Sequence, residues 1–528
     1  MSSRGAAPPT EGEPNEEGRE GLMIPDIGLA NWFSLRARNT PERRALVFEN
    51  RVWTYGQMQQ AIVACAARLA ALGIRKGDRV AFLGLNQPMF FFSMFASARL
   101  GAIFVPLNFR LTGPELAFMI EDCGAAALIV DAQLNPVIAP QRDRLVSLKA
   151  WLSAEDEAGS ASAEPPPAEP IAAREDDVAM IMYTSGTTGR PKGAMLTHGN
   201  FWWNNVNGLH GLDVLADDVT LTAAPIFHIG GLNVTTLVTF QKGGTVVLHR
   251  SFDPGRALAD IAAHKVTTMF GVPAMFLFMA QHPAFAETDF SSVRVLVVGG
   301  APSPLPLLKT YLARGVSMQQ GYGLTETAPM VSFLAPEHAL TRVGSSGRPP
   351  LFTEVKIVDS AGRTIENPGV QGEILVRGPN VTPGYWGLKE ATAQAIDRQG
   401  WFRTGDAGFF DADGFLTISD RIKDMIITGG ENVYPAEVES ALMRHPAVAE
   451  VAVIGEPNDQ WGEGIVAIAA LKAGQSLTIE ELRAFAGENL ARYKLPGRLE
   501  IVAALPRNTT GKILKYQLRE TFAKPSGG

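Results

Sequence analysis

The stretch YTSGTTGRPKG, from Tyr183 to Gly193, directly follows the apolar run VAMIM and determines how the rest of the chain is interpreted. Its glycines let backbone N–H groups converge on an anion, its hydroxyl side chains add donors, and Lys192 adds a full positive charge. A flexible linker without a binding role is the alternative, but linkers do not usually follow a buried strand directly. The stretch therefore predicts a phosphate-binding loop at the end of a strand.

The spacing within this loop excludes the commonest phosphate-binding motif. A Walker P-loop requires Gly-x4-Gly-Lys-Ser/Thr. Counted from Gly186, the second glycine would fall on Pro191, and Lys192 is followed by Gly193 instead of a hydroxyl residue. The loop is thus predicted to bind a phosphate in a chemistry other than that of P-loop NTPases.

Apolar runs on both sides of the loop alternate with helical segments, which is typical of largely parallel α/β sheets. Predicted strands lie at GDRVAFLG (77–84), AIFVPL (102–107), AALIVDA (126–132), GTVVLH (244–249), TTMFGVP (267–273) and VRVLVVGGAP (293–302). The run MFFFSMFASA (89–98) predicts a buried helix capped near Asn86, with Pro88 at its start. A further helix is predicted over residues 254–264.

Composition sets the class of protein. A chain of 528 residues exceeds one core, because chains beyond roughly 250–300 residues usually divide into domains. The net charge of −7 shows no excess of basic residues of the kind that binds nucleic acid, so no nucleic-acid partner is expected. Cys65 and Cys123 are predicted to be buried thiols in a reducing compartment. No secretory signal is visible, and the apolar run at 89–98 is shorter than the roughly 20 residues of a membrane span, so a cytoplasmic protein without a transmembrane segment is expected.

Changes in residue composition and hydrophobic pattern divide the chain into domains and linkers. Residues 1–23 are polar, acidic and rich in Gly and Pro, which predicts a disordered tail, and the acidic, Pro-rich segment 153–177 predicts a surface loop or linker. After Gly344 the short runs EVKIVD, GEILVRG and GFLTIS predict a β-rich subdomain. We therefore expect an N-terminal domain over residues 24–422, with two α/β sheet subdomains and this β-rich subdomain. A small mobile α+β domain follows over residues 423–528.

Six further motifs follow the glycine loop in a fixed order. They are APIFHIGG (224–231), GGAP (299–302), QGYGLTET (320–327), WFRTGD (401–406), SDRIKDMIITGGENVYPAEVE (419–439) and PRNTTGKILK (506–515). Together with the loop, they closely resemble the signature of the adenylate-forming enzymes, which include acyl-CoA synthetases, amino-acid adenylation domains and firefly-type luciferases. The resemblance extends from about Ala30 to Leu518, and seven motifs in order are highly specific.

The resemblance implies a two-step reaction with ATP, Mg²⁺ and CoA. A carboxylate attacks the α-phosphate of ATP to give an acyl adenylate and pyrophosphate, and a thiol then displaces AMP. A site of glycines, hydroxyls and lysines suits this chemistry, since phosphoryl displacement needs charge neutralisation and alignment more than a nucleophilic side chain. Catalytic roles are implied for Lys512, His228, Lys192 and Glu326.

The resemblance assigns most motif residues to the nucleotide. The ATP or AMP site comprises Thr184, Ser185, Gly186, Thr187, Thr188, Gly189, Lys192, Gly299, Gly300, Ala301, Gln320, Gly321, Tyr322, Gly323, Thr325, Asp406 and Arg421. Within it, Tyr322 is expected to stack on adenine and Asp406 to accept both ribose hydroxyls. Glu326 is the expected ligand of Mg²⁺, a hard cation that prefers carboxylate oxygens. His198, just after the loop, is read as structural.

The remaining roles lie near the C-terminus. Lys512 is expected to neutralise charge between the carboxylate and the α-phosphate, whereas Lys192 faces the outer phosphates. Lys423 matches the hinge about which the small domain of this family rotates between the half-reactions. Gly429, Gly430 and Glu431 are expected to bind the pantetheine arm of CoA.

Two features indicate the acyl substrate. The expected acyl pocket comprises His228, Gly230, Gly231, Gly323, Pro329 and Met330. Aromatic coumarate-type ligases tend to carry a bulkier residue where Gly230 and Gly231 stand, so the two glycines are expected to leave volume for a bulky or long hydrophobic acid: fatty, aryl or polycyclic. The stretch IGGLNVTTL after His228 holds no acidic residue to bind an α-amine, which disfavours an amino acid.

The acceptor and the partners stay open at this level. CoA is preferred because no apolar insertion of the kind found in carrier-loading acyl-AMP ligases is visible. A carrier-protein ligase and a non-catalytic binding protein on the same fold are the alternatives. A carrier protein and a second copy of the chain also stay open as partners.

Overall fold

The computed structural model describes residues 26–156, 169–184, 191–301, 303–421, 424–428, 431–458, 462–487, 490, 492–507 and 513–523. These residues form four β-sheets with helices packed on them, in a large N-terminal and a small C-terminal domain, so the predicted fold class is confirmed. The helices are α1 (Leu29–Asn39), α2 (Tyr55–Ala71), α3 (Pro88–Arg99), α4 (Gly113–Asp122), α5 (Asn135–Ile138), α6 (His198–Gly211), α7 (Ile229–Asn233), α8 (Thr236–Lys242), α9 (Pro254–Ala263), α10 (Pro273–Gln281), α11 (Leu305–Leu312), α12 (Lys389–Ala395), α13 (Pro435–Leu442), α14 (Ile479–Gly487) and α15 (Lys515–Phe522). Within the described ranges, no helix combines the length and apolar character needed to cross a membrane.

A six-stranded sheet combines five strands that precede the glycine loop with the strand that directly follows it. In sheet order its strands are β6 (Ala150–Ser153), β5 (Ala127–Val130), β3 (Arg79–Leu83), β4 (Ile103–Leu107), β7 (Val178–Thr184) and β8 (Lys192–Thr197). All neighbours pair in parallel except β7 and β8, which form an antiparallel pair around the loop. Every residue of β4 and β5 is buried, as expected of a parallel sheet covered on both faces.

An eight-stranded sheet combines six strands that follow the glycine loop with a hairpin near the N-terminus. In sheet order they are β14 (Met330–Phe333), β13 (Met318–Gly323), β12 (Val295–Gly299), β11 (Thr268–Gly271), β9 (Val219–Thr222), β10 (Thr245–Leu248), β1 (Arg44–Phe48) and β2 (Arg51–Thr54). The strands from β13 to β1 pair in parallel, and the two edge pairs are antiparallel. The β1–β2 hairpin was not predicted, because β1 joins the sheet by pairing with β10, which lies far along the chain.

Helix α3 lies between these two sheets and is buried along its whole length. Its Phe90 ring packs edge-on against Phe104 of β4 at 5.1 Å, and its Phe91 ring packs against Phe240 of α8 at 5.2 Å. The predicted buried helix with Pro88 at its start is thus confirmed. The predicted cap is shifted by one residue: Gln87 occupies the N-cap position, and the Asn86 amide instead donates to the carbonyls of Ala224 and His249.

The two smaller sheets match the predicted β-rich subdomain and the predicted C-terminal α+β domain. The β-rich subdomain is an antiparallel sheet of β15 (Ser345–Gly347), β19 (Leu416–Arg421), β18 (Phe402–Phe410), β17 (Gly372–Arg377) and β16 (Glu354–Val358), in that order. The C-terminal sheet has the order β21 (Glu431–Val433), β20 (Ile426–Thr428), β23 (Gly462–Leu471) and β22 (Val448–Asn458), with β24 (Arg498–Ile501) beside β23. Two apolar clusters drawn only from Ile426 to Phe522 give the C-terminal domain its own core.

Several predicted segments fall where the structure gives no description. The tail at residues 1–23 lies outside the described residues, as do residues 157–168 of the low-complexity segment 153–177. The domain boundary at residues 422 and 423 does too, so it stays a prediction. Cys65 and Cys123 are both buried free thiols, as predicted.

Candidate active site

The glycine loop joins two antiparallel strands. Thr184, the last residue of β7, stands opposite Lys192, the first residue of β8, and its hydroxyl donates to the Lys192 carbonyl at 3.4 Å. Helix α6 begins only after β8, behind the N-cap Thr197. A strand therefore follows the loop where a Walker loop would lead directly into a helix. Ser185, Gly186, Thr187, Thr188 and Gly189 lie outside the described residues.

Lys192, Tyr385 and Glu326 form a cluster beside this hairpin. The Lys192 Nζ lies 5.3 Å from the centroid of the Tyr385 ring, within the range of a cation–π contact. The Tyr385 hydroxyl donates to Glu326 Oε1 at 2.9 Å, and the Glu326 side chain is largely buried. Burial, reinforced by the neighbouring carboxylate, raises the pKa of Tyr385 well above its ordinary value, so the hydroxyl keeps its proton. The structure thus brings together a cation and a carboxylate that the sequence placed in separate motifs.

Tyr322 and Asp406 meet across the boundary between the eight-stranded sheet and the β-rich subdomain. The Tyr322 hydroxyl donates to Asp406 Oδ2 at 2.6 Å. Asp406 lies on β18, where its backbone pairs with that of Arg421 on β19. The proposed adenine and ribose residues are therefore neighbours. Only the backbone of Arg421 is described.

The glycines of the nucleotide motifs lie at the ends of β12 and β13, whose parallel pairing sets Gly299 beside Gly321. A Cβ on Gly299 would stand 3.0 Å from the Gly321 carbonyl, and Gly300 has a φ of +81°. Gln320 precedes Gly321 on β13, and its buried Nε2 has no hydrogen-bond partner among the described residues. This edge, at the carboxyl ends of the strands, is where parallel α/β sheets bind ligands. Ala301 follows and is exposed.

Gly323 and Thr325 begin the turn that carries Glu326. A Cβ on Gly323 would fall 1.8 Å from the Pro329 carbonyl oxygen, so close approach of the backbone requires glycine there. Thr325, Glu326 and Thr327 form a 3₁₀ turn, with the Thr325 side chain half-buried. Gly323, Pro329 and Met330 thus lie on the same turn as the predicted metal ligand.

His228 directly precedes α7 and packs against the Phe227 ring, with the centroids 4.3 Å apart. Its buried Nε2 has no hydrogen-bond partner among the described residues. Burial, with a smaller contribution from the charge of Arg110, lowers the pKa of His228 to about 4. The imidazole is therefore neutral at pH 7 and can donate or accept one hydrogen bond at this nitrogen.

The reasoning that Gly230 and Gly231 leave open volume was wrong. A Cβ on Gly231 would stand 2.3 Å from the Pro225 carbonyl oxygen, so the protein backbone fills that space. A Cβ on Gly230 would stand 2.9 Å from the Phe270 ring. Only the space beside Gly230 is bounded by a side chain that can move, so Phe270 is the residue that limits room on this side of the site.

Four predicted residues of the C-terminal domain cannot be placed. Lys423, Gly429, Gly430 and Lys512 lie outside the described residues, and only the backbone of Glu431, on β21, is described. The roles assigned to them stay predictions. His198, read as structural, is buried, and its Nδ1 accepts from the Leu29 N–H at 3.2 Å. Burial lowers its pKa to about 4.

Sequence reasoning missed the segment GPNVTPGYWG, residues 378–387, which contributes both Tyr385 and the buried amide of Asn380 to this site. Its signal was present: a Gly- and Pro-rich stretch with an aromatic pair directly follows the predicted strand GEILVRG. Asn233, the last residue of α7, was also missed, although it is a buried polar residue shortly after His228.

The chain is similar to known proteins over most of its length. Residues 33–386 match the family model of the AMP-binding enzymes, and residues 437–512 match that of the AMP-binding enzyme C-terminal domain. The feruloyl-CoA synthase of Amycolatopsis sp is 45% identical over 496 residues, covering 94% of this chain and 99% of the relative. The indoleacetate–CoA ligase of Aromatoleum aromaticum is 38% identical over 508 residues, covering 94% and 98%. The Bacillus subtilis o-succinylbenzoate coenzyme A synthetase, solved in complex with ATP and magnesium ion, has a TM-score of 0.85 and 36% identity, covering 93% of this chain and 99% of that one.

Proposed function

For this chain, which belongs to the AMP-binding enzymes of the adenylate-forming superfamily and is an AMP-forming acid–CoA ligase, we propose an acid substrate with an aromatic or long apolar body. The proposal rests on the residues that surround His228. The rings of Phe109 and Phe227 pack at 5.2 Å, Phe227 packs on His228, and Phe270 bounds the space beside Gly230. Such walls favour apolar and aromatic groups. The similarity to a feruloyl-CoA synthase and an indoleacetate–CoA ligase supports an aryl acid in particular.

ATP is the substrate that the opposite side of the site would hold. Lys192, with the hydroxyls and backbone of residues 184–189, faces the outer phosphates. Asp406 accepts from the ribose hydroxyls, and Tyr322 stacks on the adenine. The hydrogen bond between the Tyr322 hydroxyl and Asp406 orders the two side chains before the nucleotide enters. Gly299, Gly300 and Ala301 let the backbone approach the base.

The residues present fit a magnesium ion that arrives with ATP. Glu326 supplies a largely buried carboxylate next to Lys192. Among the described residues no cluster of three or more His, Cys, Asp or Glu side chains could hold a metal by itself. One carboxylate with substrate phosphates and water is the usual arrangement for Mg²⁺ in nucleotide sites. When bound, the ion neutralises charge on the phosphates.

The reaction proceeds in two displacements. A carboxylate oxygen of the acid forms a bond to the α-phosphorus while the bond from that phosphorus to pyrophosphate breaks. The thiolate sulfur of CoA then forms a bond to the acyl carbon, and AMP leaves with the electron pair. Lys512 neutralises charge at the α-phosphate in the first step. His228 orients the carboxylate through Nε2, since its low pKa makes it a poor base at pH 7.

The C-terminal domain would deliver different residues in the two steps. We place the hinge at Lys423, between an N-terminal domain over residues 24–422 and a C-terminal domain over residues 423–528. Rotation about the hinge withdraws Lys512 after adenylation and brings Gly429, Gly430 and Glu431 to the pantetheine arm. The separate apolar core of this domain supports movement as a unit. The free buried thiols Cys65 and Cys123 support a cytoplasmic location.

A panel of acids tests this function. Acid-dependent ATP–pyrophosphate exchange and CoA thioester formation are measured with ferulate, indoleacetate, octanoate and acetate. We expect turnover with the aryl acids and octanoate, and little with acetate. Equal turnover of acetate and octanoate would contradict the hydrophobic-acid proposal. Replacing CoA by a phosphopantetheinyl carrier protein tests the acceptor, and faster transfer to the carrier would identify a carrier-loading ligase.

The division of labour between the half-reactions is tested with Lys512→Ala. We expect pyrophosphate exchange to fall by about 100-fold or more, because a charge-stabilising group at the reaction centre is lost. Thioester formation from a supplied acyl adenylate is expected to stay near that of the wild type. Lys515→Ala is the matched control, since the Lys515 Nζ is paired with Glu439 at 2.9 Å. An equal loss in both half-reactions would refute the role of Lys512.

A further inference from the structure

The turn that carries Glu326 is hydrogen-bonded at every carbonyl from Glu326 to Met330. We name residues 324–330 the Glu326 loop. The bonds are Thr382 N to Glu326 O at 2.7 Å, Asn380 Nδ2 to Thr327 O at 2.7 Å and to Met330 O at 2.9 Å, Asn233 Nδ2 to Ala328 O at 2.7 Å, and Thr327 Oγ1 to Pro329 O at 2.6 Å. Only the last of these comes from within the loop, where the Leu324 N–H also donates to Pro329 O and the Ala328 N–H to Thr325 O, both at 3.2 Å. Groups outside the loop hold the carbonyls of Glu326, Thr327, Ala328 and Met330.

The side-chain donors come from distant segments and are fully buried. Asn233 belongs to α7, and Asn380 to the segment that also provides Tyr385; both side chains are 0% exposed. Asn204, on α6, is equally buried; its Oδ1 accepts from the Met330 N–H at 3.0 Å, and its Nδ2 donates to the Asn233 carbonyl at 3.0 Å. Without water to compete, each such bond restrains the loop more strongly than a bond at the surface does.

The orientation of the Asn380 amide is itself fixed. The Thr353 hydroxyl donates to Asn380 Oδ1 at 2.8 Å, and Asn207 Nδ2 donates to that hydroxyl at 3.0 Å. Because the Thr353 hydroxyl donates its proton to the Asn380 oxygen, the Asn380 NH₂ group must face the loop. The chain from Asn207 through Thr353 to Asn380 therefore aims two donors at the carbonyls on either side of Ala328.

The loop needs such support, because Ala328 has a left-handed φ of +61°. Residues with a Cβ rarely adopt this conformation, and it persists where the surroundings over-determine it. The carbonyl of Ala328 is the one that Asn233 holds. A loop without these donors has other conformations available, and in those Glu326 no longer faces Tyr385 and Lys192.

We propose that Asn380 and Asn233 are positioning residues for adenylation: their buried amides hold the Glu326 loop so that Glu326 and Thr325 meet the phosphates and magnesium of ATP. The proposal rests on the proposed function of Glu326. It extends the site to groups that touch neither substrate nor metal and that act through the backbone.

The test compares Michaelis constants in the two half-reactions. Asn380→Ala and the milder Thr353→Val are assayed for acid-dependent pyrophosphate exchange with varied MgATP and varied Mg²⁺ at saturating acid. We expect the KM for MgATP and the Mg²⁺ requirement to rise by roughly tenfold for Asn380→Ala, as for other outer partners of metal ligands. Thr353→Val is expected to change both in the same direction. Thioester formation from a supplied acyl adenylate is expected to stay within about twofold of the wild type, since no pyrophosphate is transferred there.

Asn86→Ala is the matched control. Asn86 is also buried, and its amide makes three bonds of 3.0 to 3.1 Å with the backbone of Ala224, Ile226 and His249, away from the Glu326 loop. Its loss is expected to lower thermal stability comparably while leaving the KM for MgATP unchanged. This control separates positioning from a general loss of folded enzyme, which would lower kcat alone.

The outcomes are decisive in each direction. If the KM for MgATP and the Mg²⁺ requirement in a folded Asn380→Ala variant stay within about twofold of the wild type, the proposal is overturned. If Asn380→Ala does not fold, the same criterion applies to Thr353→Val. Absence of pyrophosphate exchange in the wild type would refute the proposed function instead, so the two failures are distinguishable.

Discussion

The Glu326 loop and the turn around His228 are neighbours, linked by the bond from Asn233 to Ala328, and are built in opposite ways. Each carbonyl from Glu326 to Met330 has a hydrogen-bond donor, and each donor side chain from outside the loop is fully buried. Around His228, aromatic rings form the walls. Two buried polar atoms there, His228 Nε2 and Asn233 Oδ1, have no partner within the described residues.

We relate this difference to the two substrates: the nucleotide is the same in every family member, whereas the acid varies. Every turnover uses the same nucleotide, so the ATP side can be rigid and its polar groups can be satisfied in advance. The acid differs from one family member to another, and apolar walls adapt to it by changing one side chain. Asn233 belongs to both regions: its Nδ2 holds the Glu326 loop, and its helix begins next to His228.

The largest effect is expected on the ATP side. Glu326→Gln keeps the shape of the side chain and removes its charge, so we expect pyrophosphate exchange to fall by about 100-fold. The Mg²⁺ concentration needed for half-maximal rate is expected to rise, and it is measured by titration at fixed ATP. Glu337→Gln, at an exposed glutamate on a neighbouring turn, serves as the control. An unchanged Mg²⁺ requirement would remove Glu326 from the metal site.

A smaller effect, on stability, separates the two glycines after His228. Gly231→Ala places a Cβ against the Pro225 carbonyl, which cannot move without the backbone, so the free energy of unfolding is expected to fall by about 1–3 kcal/mol. Gly230→Ala meets only the Phe270 ring, which can rotate, and is expected to destabilise less. Chemical denaturation of both variants measures the difference. The reverse order would show that Phe270 is the more rigid neighbour.

The smallest effect is expected from pH. His228 has a folded pKa of about 4 and an ordinary value of 6.5. The folded-state imidazole is therefore neutral from pH 6.5 to 8, and the adenylation rates of the wild type and of His228→Asn should show the same pH dependence over that range. Between pH 6.5 and 4 the unfolded state binds the proton that the folded state excludes, so the stability contributed by the neutral form is lost as the pH falls. A titration near pH 7 in the rate profile of the wild type, absent from the variant, would restore His228 as a base.

Sequence reasoning reached the fold class, the family and most of the site, because the motifs are local and their order is specific. It missed what depends on distant pairing. The hairpin β1–β2 joins a strand far along the chain, and Tyr385 reaches Glu326 from a segment that pairs with β8, where Tyr385 lies opposite Ala194. The volume at Gly231 was misjudged for the same reason, since no local pattern shows that the Pro225 carbonyl fills it.

The division between a rigid ATP side and an adaptable acid side is tested most directly by one pair of Michaelis constants in two variants. Tyr385→Phe removes the hydroxyl that bonds Glu326 and keeps the ring below Lys192, whereas Phe270→Ala removes the wall beside Gly230. In pyrophosphate exchange we expect Tyr385→Phe to raise the KM for MgATP by about tenfold and leave the KM for ferulate unchanged. Phe270→Ala is expected to change the KM for ferulate by roughly tenfold and the KM for MgATP by no more than about twofold, although the ring also borders Gly299. Equal changes in both constants in either variant would contradict the division.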